Sequence, residues 1–195
     1  MAAERHYVTA LRAAASVGDP VVGANALAFW AVQQYSTGNP RGAIDLIEAA
    51  LSQAPRIGSA RMTAMLHARA CRAHAHAGDT RAADRSANAD TYARVADPAC
   101  VYWFNLSETH QLLGSSALNL GNPRQALRHF QDAATAHHSE GEANDGDAFP
   151  CGHATYLARL AEVHLDLGDI NAAVDTAHTA VARMGASPPH AAPAP

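Results

Sequence analysis

Four side chains in the second half of the sequence carry metal-ligand chemistry. His137, His138, Cys151 and His153 flank an acidic stretch, and imidazole with thiolate is a donor set that zinc takes. Closing the stretch would gather them, but their spacing matches no zinc signature, so a plain linker is the competing reading. The run Asn144-Asp145-Gly146-Asp147 lacks the alternating carboxylates and closing glutamate of a calcium loop and is set aside. Arg72 offers a guanidinium that can hold a carboxylate. Gln111, Ser115 and Asn119 recur every four residues, which puts three polar side chains on one helical stripe, a rail for a peptide backbone. The sequence has no GxSxG, P-loop or GxGxxG, and nothing in it brings Ser, His and Asp together. It therefore reads as non-enzymatic, with no cofactor.

The elements that position these residues are set by a recurring break. Gly121-Asn122-Pro123 ends one helix and starts the next. Glycine suits the left-handed residue past a helix end. Asn122 suits the following N-cap, Pro123 the first helical position, and Gln125 the reciprocal place of a capping box. Similar breaks stand at Gly18-Asp19-Pro20, Gly38-Asn39-Pro40, Gly78-Asp79-Thr80 and Gly168-Asp169-Ile170, at intervals of 20, 40, 43 and 47 residues. Residues 4–17 then form a lone second helix. Four antiparallel pairs follow: 21–37 with 41–53, 59–77 with 81–95, 101–120 with 124–137, and 152–167 with 171–184. Pro55 and Pro98 fall in linkers.

The side-chain sizes around each break also repeat. Ala31, Cys71, Gly114 and Ala161 stand seven residues before the break, and Ala43, Ala83, Ala126 and Ala173 five after. Ala50, Ala133 and Ala180 stand twelve after, where the second pair has Asp90. Gly114 lets the next helix approach, and Phe130 fills the space. This is the spacing of a tetratricopeptide helix pair, a unit of about 34 residues. The expectation is an all-α solenoid of about nine helices over residues 1–184. It is interrupted by an acidic flexible loop at 138–150 and followed by a disordered Pro/Ala-rich tail at 185–195.

Stacked pairs of this kind form an arc whose concave face is lined by the first helix of each pair. Counting along those helices places Asn25, Tyr35, Met65, Arg72, His76, Glu108, Gln111, Ser115, Asn119 and Glu162 on that groove. The competing reading is a solvated helix face. His67, His74, His110 and His164 fall at packing places and read as partly buried, hydrogen-bonded histidines rather than a pH or metal sensor. Tyr102, Trp103 and Phe104 read as a core plug where the third pair begins. Tyr7, Val8 and Leu11 on the unpaired first helix read as exposed apolar residues that invite another chain.

Composition excludes several classes. Hydrophobic residues make up 48%, charged residues 16% and aromatic residues 6% of the 195-residue chain, which supports a real core. A net charge of −4 with a pI near 6.3 argues against direct nucleic-acid binding. No apolar run approaches a membrane span, the N-terminus has no signal-peptide core, and three scattered cysteines read as reduced thiols, so a cytoplasmic place is expected.

The segments VYWF at 101–104, LNLGNPRQALRHF at 118–130 and YLARLAEVHLDLGDINAAV at 156–174 resemble the C-terminal tetratricopeptide region of actinobacterial helix-turn-helix transcriptional regulators. The resemblance covers about residues 4–184. It implies a right-handed solenoid that senses a ligand, binds a peptide or partner protein, or forms a homodimer through an end. The family's DNA-binding helix-turn-helix is missing from this sequence, so the resemblance implies a regulatory role without DNA contact by this chain. A free-standing scaffold and a small-molecule- or metal-binding enzyme are the other readings.

Overall fold

The computed structural model describes residues 2–87, 97–139 and 150–185. Among these the chain is all helical. In order come α1 (Ala2–Val17), α2 (Pro20–Ser36), α3 (Pro40–Leu51), α4 (Ala54–Ile57), α5 (Ala60–His76) and α6 (Thr80–Ala87). A 3-10 turn at Ala99–Val101 precedes α7 (Leu106–Asn119), α8 (Pro123–Ser139), α9 (Pro150–Asp166) and α10 (Ile170–Gly185). No described helix is long and apolar enough to cross a membrane.

Each of the five expected breaks is built the same way. At the third pair, Gly121 sits at φ 72. Its N–H donates to the Leu118 carbonyl at 2.9 Å, and the Asn122 N–H to the Ala117 carbonyl at 2.9 Å. This is the Schellman closure, which satisfies carbonyls left over at the helix end. The Asn122 side-chain oxygen then accepts from the Gln125 N–H at 3.2 Å, so one residue closes α7 and caps α8. Asp19, Asn39, Asp79 and Asp169 each do both jobs at their own breaks. The Gln125 side chain departs from the capping-box expectation. Its Oε1 accepts from the Asn122 side-chain amide at 2.9 Å, because the Asn122 backbone N–H is already bound to Ala117.

The helices pack in adjacent pairs: α2 with α3, α5 with α6, α7 with α8, and α9 with α10. Successive pairs meet through α3 against α5, α5 against α7, and α8 against α9, an arrangement consistent with an α-solenoid. The small residues expected at the helix contacts are buried: Ala31, Cys71, Gly114 and Ala161 on first helices; Ala43, Ala50, Ala83, Ala126, Ala133, Ala173 and Ala180 on second helices. Ile47, Met62, Met65, Leu66, Val101 and Phe104 fill the core of the first half, and Leu118, Phe130 and Val163 that of the second.

Several boundaries differ from the sequence reading. There are ten α-helices among the described residues rather than about nine. The extra one is α4, which Pro55 enters near its start instead of ending a helix, and which Gly58 closes at φ 66. The helix that opens the third pair begins at Leu106, not at residue 101. Asn105 caps it, accepting from the Glu108 N–H at 2.8 Å, and the preceding apolar run plugs the core in irregular form. Within that run Val101 and Phe104 are buried and Trp103 partly so, while Tyr102 is 65% exposed and is no part of the plug. The first helix is also better covered than expected. Tyr7, Val8 and Leu11 are partly buried against α2, with the Tyr7 ring stacked on Trp30 at 6.1 Å. The acidic loop is helical at its edges, where α8 runs to Ser139 and α9 starts at Pro150. Its remainder, Asp90 and the tail from 186 onward lie outside the described residues.

Candidate functional site

Residues from α2, α5, α7 and α9 meet in one continuous row along the first helices. The row begins with Arg69 on α5, which is 6% exposed although its helix is rich in alanine. Its guanidinium lies 4.4 Å over the Phe29 ring and 5.7 Å from that of Trp103. Its Nε donates to the Met65 sulfur at 3.0 Å and its Nη1 to the Ala28 carbonyl at 3.4 Å. Burial pushes its pKa down, while the Glu108 carboxylate, itself raised by burial, acts on it from α7. Arg69 is therefore a structural cation set against two aromatic rings, with an acid to balance it.

One turn further along α5 stands Arg72, in a different condition. Its guanidinium is 5.6 Å from the Tyr35 ring, and its Nη1 is buried with no hydrogen-bond partner among the described residues. Burial depresses its pKa, and the Arg159 charge depresses it further. The groups that favour its charge are the Tyr35 phenol, which also hydrogen-bonds to it, and the Cys71 thiol, neither of them a carboxylate. His76, four residues on, stacks on the same Tyr35 ring with centroids 4.7 Å apart. Burial, then the charges of Arg72 and Arg159, push the His76 pKa down to about 4, so the ring is neutral at physiological pH. Its Nε2 is likewise buried without a partner.

Arg159 from α9 closes the row. Its Nη1 pairs with the Glu162 carboxylate, and its Nη2 donates to the Asn119 side-chain oxygen at 2.6 Å and to the Ser115 carbonyl at 3.4 Å. Of the three guanidiniums, two have an acid to answer them and Arg72 has none among the described residues.

The structure thus brings Tyr35, Arg72 and His76 together and sets Glu108, Ser115, Asn119 and Glu162 along the same row. Asn25 of α2 is partly buried, and its Oδ1 has no partner among the described residues. Met65 is wholly buried beneath Arg69 and offers a ligand no surface. The Gln111, Ser115 and Asn119 stripe exists, but Asn119 is committed to Arg159, and the Gln111 amide reaches back to the Ser107 hydroxyl at 3.5 Å. Sequence reasoning missed Arg69 and Arg159. The signal for Arg159 was its i,i+3 spacing to Glu162. For Arg69 it was a second arginine three residues before Arg72 in an otherwise small-residue helix.

Of the zinc candidates, the side chains of His137, His138 and Cys151 lie outside the described residues. His153 packs against the Tyr156 ring at 5.7 Å. Cys71 and Cys100 are free thiols whose pKa values burial raises, which keeps them protonated and poorly nucleophilic. A separate open cleft of about 300 Å³ lies between α3, α5 and α6, lined by Ile44, Leu51, His67, His74 and Arg85 among others. Comparison with protein-family models, curated proteins and solved structures finds no match to this chain.

Proposed function

We propose that this chain is a non-enzymatic, tetratricopeptide-like interaction or sensor module that binds an acidic peptide or partner-protein segment along its first helices. The observation that carries the reading is the Arg72 guanidinium, partly buried with its Nη1 fully so, and without an acid among the described residues. An uncompensated buried cation is destabilising, and a carboxylate from a ligand would relieve it with charge-assisted hydrogen bonds. The unpartnered Nε2 of neutral His76 supplies a second donor in the tautomer that carries the proton there. The repeated Gly–Asn/Asp breaks and the buried small residues support the right-handed tetratricopeptide reading of the helix pairs. The sequence resemblance supports a place in a bacterial transcriptional regulator, acting in the cytoplasm.

Titrating the 15N-labelled chain with an acidic peptide, and with its amide-blocked neutral counterpart, tests the binding surface. Shifts confined to α2, α5 and α7 that vanish in Arg72→Gln are the expected result. Shifts scattered over the second helices, or equal for both peptides, would count against it. A free-standing scaffold is the alternative role, and an in-frame helix-turn-helix upstream in the gene separates the two.

A further inference from the structure

We propose that His110, His129 and Asp132 form a binding site for a divalent transition-metal ion of the zinc class, linking α7 to α8. This inference does not depend on the peptide-binding reading, because the three residues lie at the contact between the helices of one pair.

The ligand atoms of the three residues all lie within 4.8 Å of one another. The two Nδ1 atoms are 3.3 Å apart. Two imidazole nitrogens bound to one zinc at about 2.0–2.1 Å, with a tetrahedral angle between them, stand about 3.3–3.4 Å apart. The histidine pair is thus already at ligand spacing. In the metal-free chain the same distance admits an N–H···N hydrogen bond. Binding an ion needs only that one ring move its proton from Nδ1 to Nε2, with no net proton lost. Asp132 Oδ2 is 3.9 Å from His110 Nδ1, and the Asp132 side chain is 60% exposed, so it is free to swing inward. Its carboxylate offsets part of the ion's charge. The Arg128 charge acts on His129 from the same helix and opposes cation binding, but Arg128 itself is exposed to solvent.

The backbone holds this geometry firmly. His129 and Asp132 are three residues apart on α8 and share a face. Between them Phe130 is buried against Gly114 of α7, and the Ser107 hydroxyl of α7 donates to the Ala133 carbonyl of α8 at 2.9 Å. Two histidines and one carboxylate leave a fourth position for water or another donor, which is an open zinc site. Imidazole suits copper and nickel also, so the donor set specifies the class of ion and not one metal.

The test is titration of the metal-free full-length chain with Zn2+ by calorimetry and with Co2+ by visible absorption. Saturable binding of one equivalent, with a raised unfolding temperature, is the expected result. His110→Gln and His129→Gln should each weaken binding by at least about tenfold, the lower range seen even for supporting groups. Asp132→Asn should weaken it less, and the His137→Ala/His138→Ala pair should leave it unchanged. Two-bond 1H–15N spectra should show the Nδ1 signals of both rings moving on zinc addition, a readout that survives if a glutamine variant folds poorly. Absence of saturable binding by the wild type overturns the proposal. So does binding that persists in the double glutamine variant or is lost only with His137 and His138.

Discussion

Gly114 of α7 faces the ring of Phe130 on α8 so closely that a Cβ on Gly114 would stand 3.0 Å from Cε1 and 3.1 Å from two further ring carbons. Phe130 is 1% exposed, so a Cβ on Gly114 would require this buried ring to shift. Gly114→Ala gains helix propensity of about 1 kcal/mol, but overpacking a closed core costs about 1–3 kcal/mol. A net loss of about 1 kcal/mol in urea unfolding is expected. Placing the same change in a Phe130→Leu background should remove the loss. Independent, additive effects of the two changes would show that the ring does not limit the approach of the helices.

The break residues follow from local geometry, and that is why they could be read directly. Asn122→Ala should cost about 1 kcal/mol, since the lost cap leaves the Gln125 N–H without its acceptor. Asn122→Asp should be neutral, because Asp19, Asp79 and Asp169 serve the same double role at the other breaks. Circular dichroism during thermal unfolding of the two variants checks the contrast. An equal loss in both would mean that the side-chain pair of Asn122 and Gln125 matters more than the cap.

The pairing of the helices was legible because glycine, Asn or Asp and small residues answer to constraints within a few positions. The start of α7 was misread because Val101 to Phe104 is apolar enough to pass for a helix. The corrective signal was Asn105 with Glu108 three residues on, the spacing of an N-terminal cap. Met65 and Arg72 fall on the same helical stripe, so counting could not tell that one is buried beneath Arg69 and the other left without an acid. That difference depends on Phe29, Trp103 and Glu108, which lie far away in sequence. His129 escaped notice for the same reason: its partner His110 is on the neighbouring helix.

Arg69 and Arg72 differ in their partners, and substitution should separate them. Arg72→Met removes a partly buried charge that no acid among the described residues compensates, so the unliganded chain should become more stable, by about 1 kcal/mol, while binding of an acidic peptide is lost. Arg69→Met removes a cation held by two aromatic rings and leaves Glu108 partly buried without it, and should destabilise the chain by about 2 kcal/mol or more. Chemical denaturation of both variants at one pH measures the difference. Destabilisation by both would show that Arg72 has a stabilising partner of its own in the folded chain.

His76 makes the stability of the chain depend on pH in a defined window. Its pKa is about 4 in the fold and near 6.5 in the unfolded chain. Above the unfolded value both states are neutral and the full stability is present. As the pH falls below it, the unfolded chain takes up a proton that the native state refuses, so stability is lost until about pH 4, where both states are protonated. His67 and His129, also lowered by burial, act in the same direction. His76→Phe keeps a ring against Tyr35 and cannot titrate, so the variant should lose less stability over this range than the wild type. Once solvent screening of a partly exposed ring is allowed for, the difference should reach about 1–2 kcal/mol. Carboxylates titrating at the low end act on both proteins and cancel in the comparison, so parallel stability curves for the two would mean that His76 is protonated as readily in the fold as out of it.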